Sequence, residues 1–360
     1  MSASVRFSGR LAASFAVLLT PVLLTAQNER HTLSGDRVAI YNLAGKLRVQ
    51  AGTGLQVVVD VTRGGHDAST LRVVQSEIRG ADALRVVYPS GDIVYPLLGH
   101  RTRTQIRVNS DGTFDDGDHG SWGWGFAKRD RVEIRDSGSG LEAFADMTVS
   151  VPKGQRIALH WGVGEAMVSN VDGDIRVSVA ASRVRAEHTR GKLNLDTGSG
   201  SVDVTDAQGD VTLDTGSGEV KVSGVRGDNL SIDTGSGSIT GSDVDVQTLK
   251  LDVGSGGLQL SRVKASRVSA DAGSGGVELG FLAPITDLKA DAGSGGITIR
   301  LPSAQNADVD IETGSGGINT DFSIATSRFS RDHVRGTIGN GGSRIHIEAG
   351  SGTVRLLKTN

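Results

Sequence analysis

Cysteine is absent from this chain of 360 residues, so neither disulfides nor thiolate-held metal can staple it, and stability has to come from backbone pairing and burial. Proline is scarce, at 6 residues, and aromatic side chains make up only 4%, which argues against an aromatic-lined pocket. The one long apolar run is Leu11 to Leu24, interrupted by Pro21. It is shorter than the roughly 20 residues of a spanning helix. It follows Arg6 and Arg10 and ends in Thr25-Ala26-Gln27, the pattern of a secretory signal peptide removed after Ala26. Export is therefore expected, to the periplasm, the outer surface or the medium, with no membrane span in the processed chain. Charge of one sign is also missing. The net charge of −3 falls by two more when the signal leaves, and this mild acidity carries no nucleic-acid footprint. Ser/His/Asp triads, clustered metal-ligand histidines and the lysine of a phosphate-binding glycine loop are not recognisable.

Glycine is what the chain has in quantity, 51 residues. Eight acidic residues, Asp196, Asp214, Asp233, Asp252, Asp271, Asp291, Glu312 and Glu348, are each followed two positions on by Gly-Ser-Gly, at intervals of 18, 19, 19, 19, 20, 21 and 36. A near-constant period of about 19 residues marks stacked supersecondary units. The interval of 36 fits two coils of 18, or one coil carrying an insertion. Each unit holds two short alternating segments, such as Leu193-Asn-Leu195 and Val202-Asp-Val204, which read as half-buried strands. Helical periodicity is missing from the repeat, so leucine-rich, ankyrin and tetratricopeptide units are excluded. The expected fold is all-β, a single-stranded β-solenoid, right-handed by the general chirality of parallel crossovers. Residues 151–360 form its regular part. Residues 27–150 form irregular N-terminal coils, or a separate small β-domain, with a mobile loop at 109–126.

The corners carry three expectations. Gly198/Gly200, Gly216/Gly218 and their equivalents take positive φ. Thr197, Thr215, Thr234, Val253, Ala272, Ala292 and Thr313 point inward. Each acid points outward and accepts a hydrogen bond from the first glycine amide, an Asx-type turn. Stacked at roughly 4.8 Å, the acids from Asp196 to Glu312 make a ladder whose repulsion weak Ca²⁺ binding could relieve. No other cofactor is indicated.

Candidate binding residues lie earlier. Arg101, Arg103 and Arg107 precede the acidic loop at period 2, and Arg131 and Arg135 follow it. They form a positive strip that pairs with Asp111 to Asp118 or contacts an anionic polymer. Trp122, Trp124 and Phe126 in the loop suit a carbohydrate or protein contact. Arg226-Gly227-Asp228 spells an integrin-binding tripeptide, but Asp172-Gly-Asp174 and Gln208-Gly-Asp210 occupy the same place in other coils, so it reads as a repeat turn. His160 and Glu165 beside Trp161 are the nearest approach to an acid/base pair, with His160 placed at the surface before a corner.

The order Asn42-x-x-Gly45-Lys-Leu-Arg-Val, Met147-Thr-Val-Ser-Val-Pro152-Lys-Gly, Trp161-Gly-x-Gly-Glu-x-x-Val-x-Asn-Val-x-Gly-Asp174 and tandem Thr-Gly-Ser-Gly coils resembles the bacterial "putative adhesin" family of β-strand-repeat envelope proteins. The resemblance covers nearly all of the processed chain and its motifs are turns and strand ends. It implies a non-enzymatic, adhesin-like or structural surface in the cell envelope, facing polysaccharide or a surface protein, and defines no catalytic residues. The competing reading is a β-helix enzyme acting on polysaccharide.

Overall fold

The computed structural model describes residues 28–99, 102–114 and 130–359. Among them the only regular element that is not a strand is a 3-10 turn at Ala68–Thr70. The chain is all-β, a β-solenoid-like repeat. No helix among the described residues is long and apolar enough to cross a membrane.

A coil is laid down as a strand, a Gly-Ser-Gly corner, a second strand and a second corner. Arg190–Ser199 pairs in parallel with Val211–Ser217, and Val202–Thr205 with Val220–Ser223. Leu193 stands opposite Val211, Val211 opposite Leu230 and Val268 opposite Leu288, so the register lengthens along with the sequence interval. Alternation decides the facing. Leu193, Leu195, Val202 and Val204 are buried in one continuous aliphatic core, while Asn194 and Asp203 on the other parity reach the surface. The small corner residues from Thr197 to Thr313 are all 5% exposed or less, as the parity requires.

The glycines work differently from the expectation. Gly200 and Gly218 have φ of +127° and +143°, but Gly198 and Gly216 do not lie in the left-handed region. What Gly216 needs is room, because a Cβ there would sit 2.6 Å from the carbonyl oxygen of Gly198 in the coil before. The acids also do not make the expected Asx turns where the first glycine amide is accounted for. Gly273 N donates to Val253 O and Gly293 N to Ala272 O, so the ladder between coils has already taken the donor. A second column went unread in the sequence. Asn170, His188, Asp206, Asp243 and Arg262 occupy the second corner with φ of 52–57°, and the residue after each turns inward. Gly224, with φ of +70°, takes the column's place in the next coil, and Gln208 bridges Arg190 and Arg226 two residues further on, which makes Arg226-Gly227 one more copy of the second corner.

The first coil is assembled from afar. Arg37–Ala44 lies parallel to Gln155–Val163, and Leu47–Ala51 lies between Phe144–Val151 and Ala166–Ser169. Two buried side chains, Asn42 and Trp161, and the partly buried Tyr88 lock this junction. Asn42 Nδ2 donates to Ala44 O and Ala145 O, the Tyr88 hydroxyl donates to Asn42 Oδ1 at 2.8 Å, and Trp161 Nε1 donates to Gly45 O at 2.6 Å. The Asn42, Gly45 and Trp161 motif positions are thus the joint of the fold. Antiparallel strands, Asn28–Leu33 on Val57–Gly64 and Arg72–Ile78 on Ala81–Val87, close this end.

At the other end the coils leave sequence order. Arg344–Ala349 lies between Asp287–Ala292 and Ala307–Thr313, parallel to both. Glu348 therefore stands between Asp291 and Glu312, and the acid column does not run in numerical order. The interval of 36 is filled by an antiparallel pair, Ile324–Phe329 and His333–Ile338, which covers Ala307–Thr313.

Candidate functional site

Arg37–Ala44 is buried on both faces. Val38 and Ile40 enter the solenoid core, while Ala39, Tyr41 and Leu43 enter a second core on the outside of the coil. A three-stranded sheet covers that second core, in which Arg103–Val108 pairs antiparallel with Asp130–Arg135 and Ile93 stands beside Ile134. Ile106, Val108, Val132 and Ile134 face inward. The opposite parity puts the arginines outside, in facing pairs: Arg103 opposite Arg135 and Arg107 opposite Arg131, with Gln105 opposite Glu133 between them. Like charges directly opposite each other destabilise a sheet. Arg135 is relieved by Asp92 and by Glu133 at 3.3 Å. Among the described residues, no carboxylate lies within salt-bridge reach of Arg103, Arg107 or Arg131.

Beside the covering sheet, on the same side of the coil, lies a cleft of about 290 Å³ lined by Arg37, Arg79, Arg156, Arg176, Asp174 and the Tyr41–His160 pair. Its charge follows from stacking. Parallel register sets Arg156 between Arg37 and Asp174, and Ala158 beside Arg176, so arginines from successive coils converge where alanines leave space. Arg156 reaches Asp174 at 3.5 Å. Arg176 Nε is buried without a hydrogen-bond partner. His160 forms the floor with its ring stacked on Tyr41, centroids 4.4 Å apart, and is 7% exposed. That corrects its expected surface placement. The register of a strand with two buried faces carries it inside. Trp161 is fully buried while Glu165 is exposed, so this trio offers neither a sugar platform nor a solvent-facing acid/base pair.

A model of the family described as Toastrack DUF4097 matches residues 113–357. The chain belongs to that family. Of the cleft residues, Arg156, His160, Asp174 and Arg176 come from within the Toastrack match, and Arg37, Tyr41 and Arg79 from before it. A search of curated proteins finds no match. Among solved structures, a "putative cell adhesion protein" from Clostridium sporogenes ATCC 15579 aligns at 8% identity over 93% of this chain and 100% of its own, with a TM-score of 0.20.

The remaining candidates of this Toastrack chain separate by position. Arg101, Trp122, Trp124 and Phe126 lie outside the described residues, as do Asp115, Asp116 and Asp118. Asp111 is described and does not join the arginine strip. Its carboxylate accepts from Thr113 N at 3.0 Å and Thr113 Oγ1 at 2.8 Å, and stands 3.6 Å from Arg85. Burial pushes this carboxyl up, but the Thr113 hydrogen bonds and Arg85 outweigh it, and the net shift is downward.

The acids do form a column, with Asp196 opposite Asp214, then Asp233, Asp252, Asp271, Asp291, Glu348 and Glu312. Burial first, then the carboxylates of Asp252 and Asp214, push Asp233 above its ordinary value; burial and then Asp291 and Asp252 do the same to Asp271. Three ligand-type groups converge at the end of the column, where Asp310, Glu312 and His333 bring donor atoms within 4.8 Å of one another. His333 Nε2 is 2.8 Å from Asp310 and 3.4 Å from Glu312, and Arg328 Nη1 is 3.1 Å from Nδ1. A guanidinium can only donate, so Nδ1 accepts and the Nε2 proton faces the two carboxylates. That proton occupies the position a metal would need.

Proposed function

We propose that this Toastrack protein is an exported, non-enzymatic binding surface of a bacterial envelope, adhesin-like in role, and that its arginine-lined N-terminal side holds an anionic polymer. The coils we read as right-handed turns of about 19 residues, serving as the rigid support. The observation that carries the reading is the cleft, where four guanidiniums surround a single carboxylate and one Nε is buried without a partner. Arginine's planar fork suits carboxylate and phosphate groups. The facing arginines of the covering sheet extend the same charge outward.

Retention on immobilised polygalacturonate, compared with dextran, tests this. The protein should bind the anionic matrix at low salt and elute as salt rises, because exposed charge is screened. Arg37→Gln with Arg176→Gln, and separately Arg103→Gln with Arg131→Gln, should each weaken binding by roughly 3- to 10-fold, since exposed ionic contacts are worth about 0–1 kcal/mol each. Equal retention on both matrices, or no effect of either pair, would refute the reading. Assay of the same incubations for reducing ends or unsaturated products tests the enzymatic alternative.

A further inference from the structure

The strands that flank the last coil are already matched to each other. Arg344 stands opposite Asp287 on one side and Asp308 on the other; Glu348 stands opposite Asp291 and Glu312. On the second face Val354 stands opposite Ile297 and Ile318. The coils at 287–301 and 307–320 could therefore stack directly in the step of 21 that their sequence interval prescribes, and the Arg344–Lys358 segment fills a slot one coil wide between them. The slot is complete on both sides. Arg344 N donates to Thr286 O at 2.9 Å and Asp308 N to Ser343 O at 2.7 Å; Ile297 N donates to Thr353 O and Val354 N to Gly317 O, both at 3.0 Å. Ile345, Ile347, Val354 and Leu356 fill the core there. The tether to the rest of the chain is Gly339-Asn340-Gly341-Gly342-Ser343, in which all three glycines have positive φ.

A solenoid propagates by adding each coil to the one before it. Here the segment at 307–320 precedes its own neighbour in the sequence, so the slot must stay open, or reopen, until the Arg344–Lys358 segment arrives. The slot recognises that segment by ladder, register and apolar side chains, and none of these depends on which chain supplies it. We propose that the slot accepts the Arg344–Lys358 coil from a second copy of this chain, so that two molecules join by reciprocal coil exchange about the glycine tether. Exchange of an identical element gives a closed, symmetric dimer with no new surface required. The short tether gives the chain's own coil an effective concentration of roughly millimolar. Exchange is therefore set during folding and rises with protein concentration.

The absence of native cysteine allows a direct test. Thr298 and Arg355 are opposite each other on the outer parity of adjacent strands, a spacing that suits a disulfide. The full chain carrying Thr298→Cys and Arg355→Cys is unfolded under reducing conditions, refolded at about 0.1 μM and at about 100 μM, the higher approaching the effective concentration of the tether, then oxidised and run on a non-reducing gel. Arg355→Cys alone measures chance crosslinks. The expected result is an intrachain bridge at the low concentration and a covalent dimer, at least five-fold above the single-cysteine level, at the high one. An intrachain bridge alone at both concentrations overturns the exchange. Failure to form either bridge overturns the docking itself.

Discussion

The Asp233 carboxylate stands between those of Asp214 and Asp252, with Lys250 the cation that draws it back. Burial and these neighbours raise its pKa above 3.8, so the fold binds that proton more tightly than the unfolded chain does. Its contribution is thus fully stabilising below about 3.8 and is lost as pH rises through the folded value. Asp233→Asn should raise the melting temperature at pH 7, and the gain should shrink as pH falls toward 3.8. Melting the two proteins side by side from pH 3 to 8 cancels the opposite slopes of Asp111, Asp243 and Asp332, whose carboxyls are held low. A difference that stays constant, or grows in acid, would mean that column repulsion does not govern Asp233. The column was legible because its period is nearly fixed and its parity follows from Leu193 and Leu195. The reason for Gly198 and Gly216 was not, because close approach between coils and a positive φ both select glycine, and only coordinates separate them.

Strands were legible wherever one face meets water and alternation survives. They were least legible in Arg37–Ala44, where Val-Ala-Ile-Tyr-Asn-Leu-Ala runs without a polar face. Continuous burial of that kind signals an element covered on both sides, and it marks the seat of the covering sheet and of the cleft floor. The loop after that sheet's Arg103–Val108 strand begins from this core. Phe114 is 2% exposed and meets Tyr41 edge-on at 6.0 Å between centroids. A deletion that starts at Asp111 would remove this anchor along with the Arg85 contact. Excising residues 115–128 instead spares both while removing Asp115, Asp116 and Asp118. If those acids screen the arginine strip, polygalacturonate affinity at low salt should rise about 2- to 5-fold, the worth of a few exposed ionic contacts, with little change in melting temperature. Unchanged affinity in a folded deletion would assign the strip no gating by the loop.

Across the whole molecule the repeat was readable, but the order of its final coils was not. An interval of 36 between Glu312 and Glu348 is compatible with sequential coils and with the intercalation observed, since both keep the same register and the same buried residues. Sequential stacking does hold from Arg190 to Leu260, and there the solenoid should behave as a one-dimensional array. Removing Asp214 through Ile232 joins Leu213 to Asp233 and brings Asp233, Thr234 and Ile239 to the places of Asp214, Thr215 and Val220, their partners in the parallel ladder. Inward positions are then refilled by residues of similar size except at Val222, whose place Gly241 takes, and every corner keeps its Gly-Ser-Gly. The shortened chain should unfold in one cooperative step, with a denaturant slope lowered by about one coil's share of the surface exposed. Val220→Asp in the intact chain is the contrast. Val220 is fully buried, and an unpaired carboxylate there should cost several kcal/mol, on the order of what a buried polar group without partners costs. A clean excision that loses cooperativity, or a Val220→Asp protein as stable as its parent, would mean that the coils do not share one continuous core in solution.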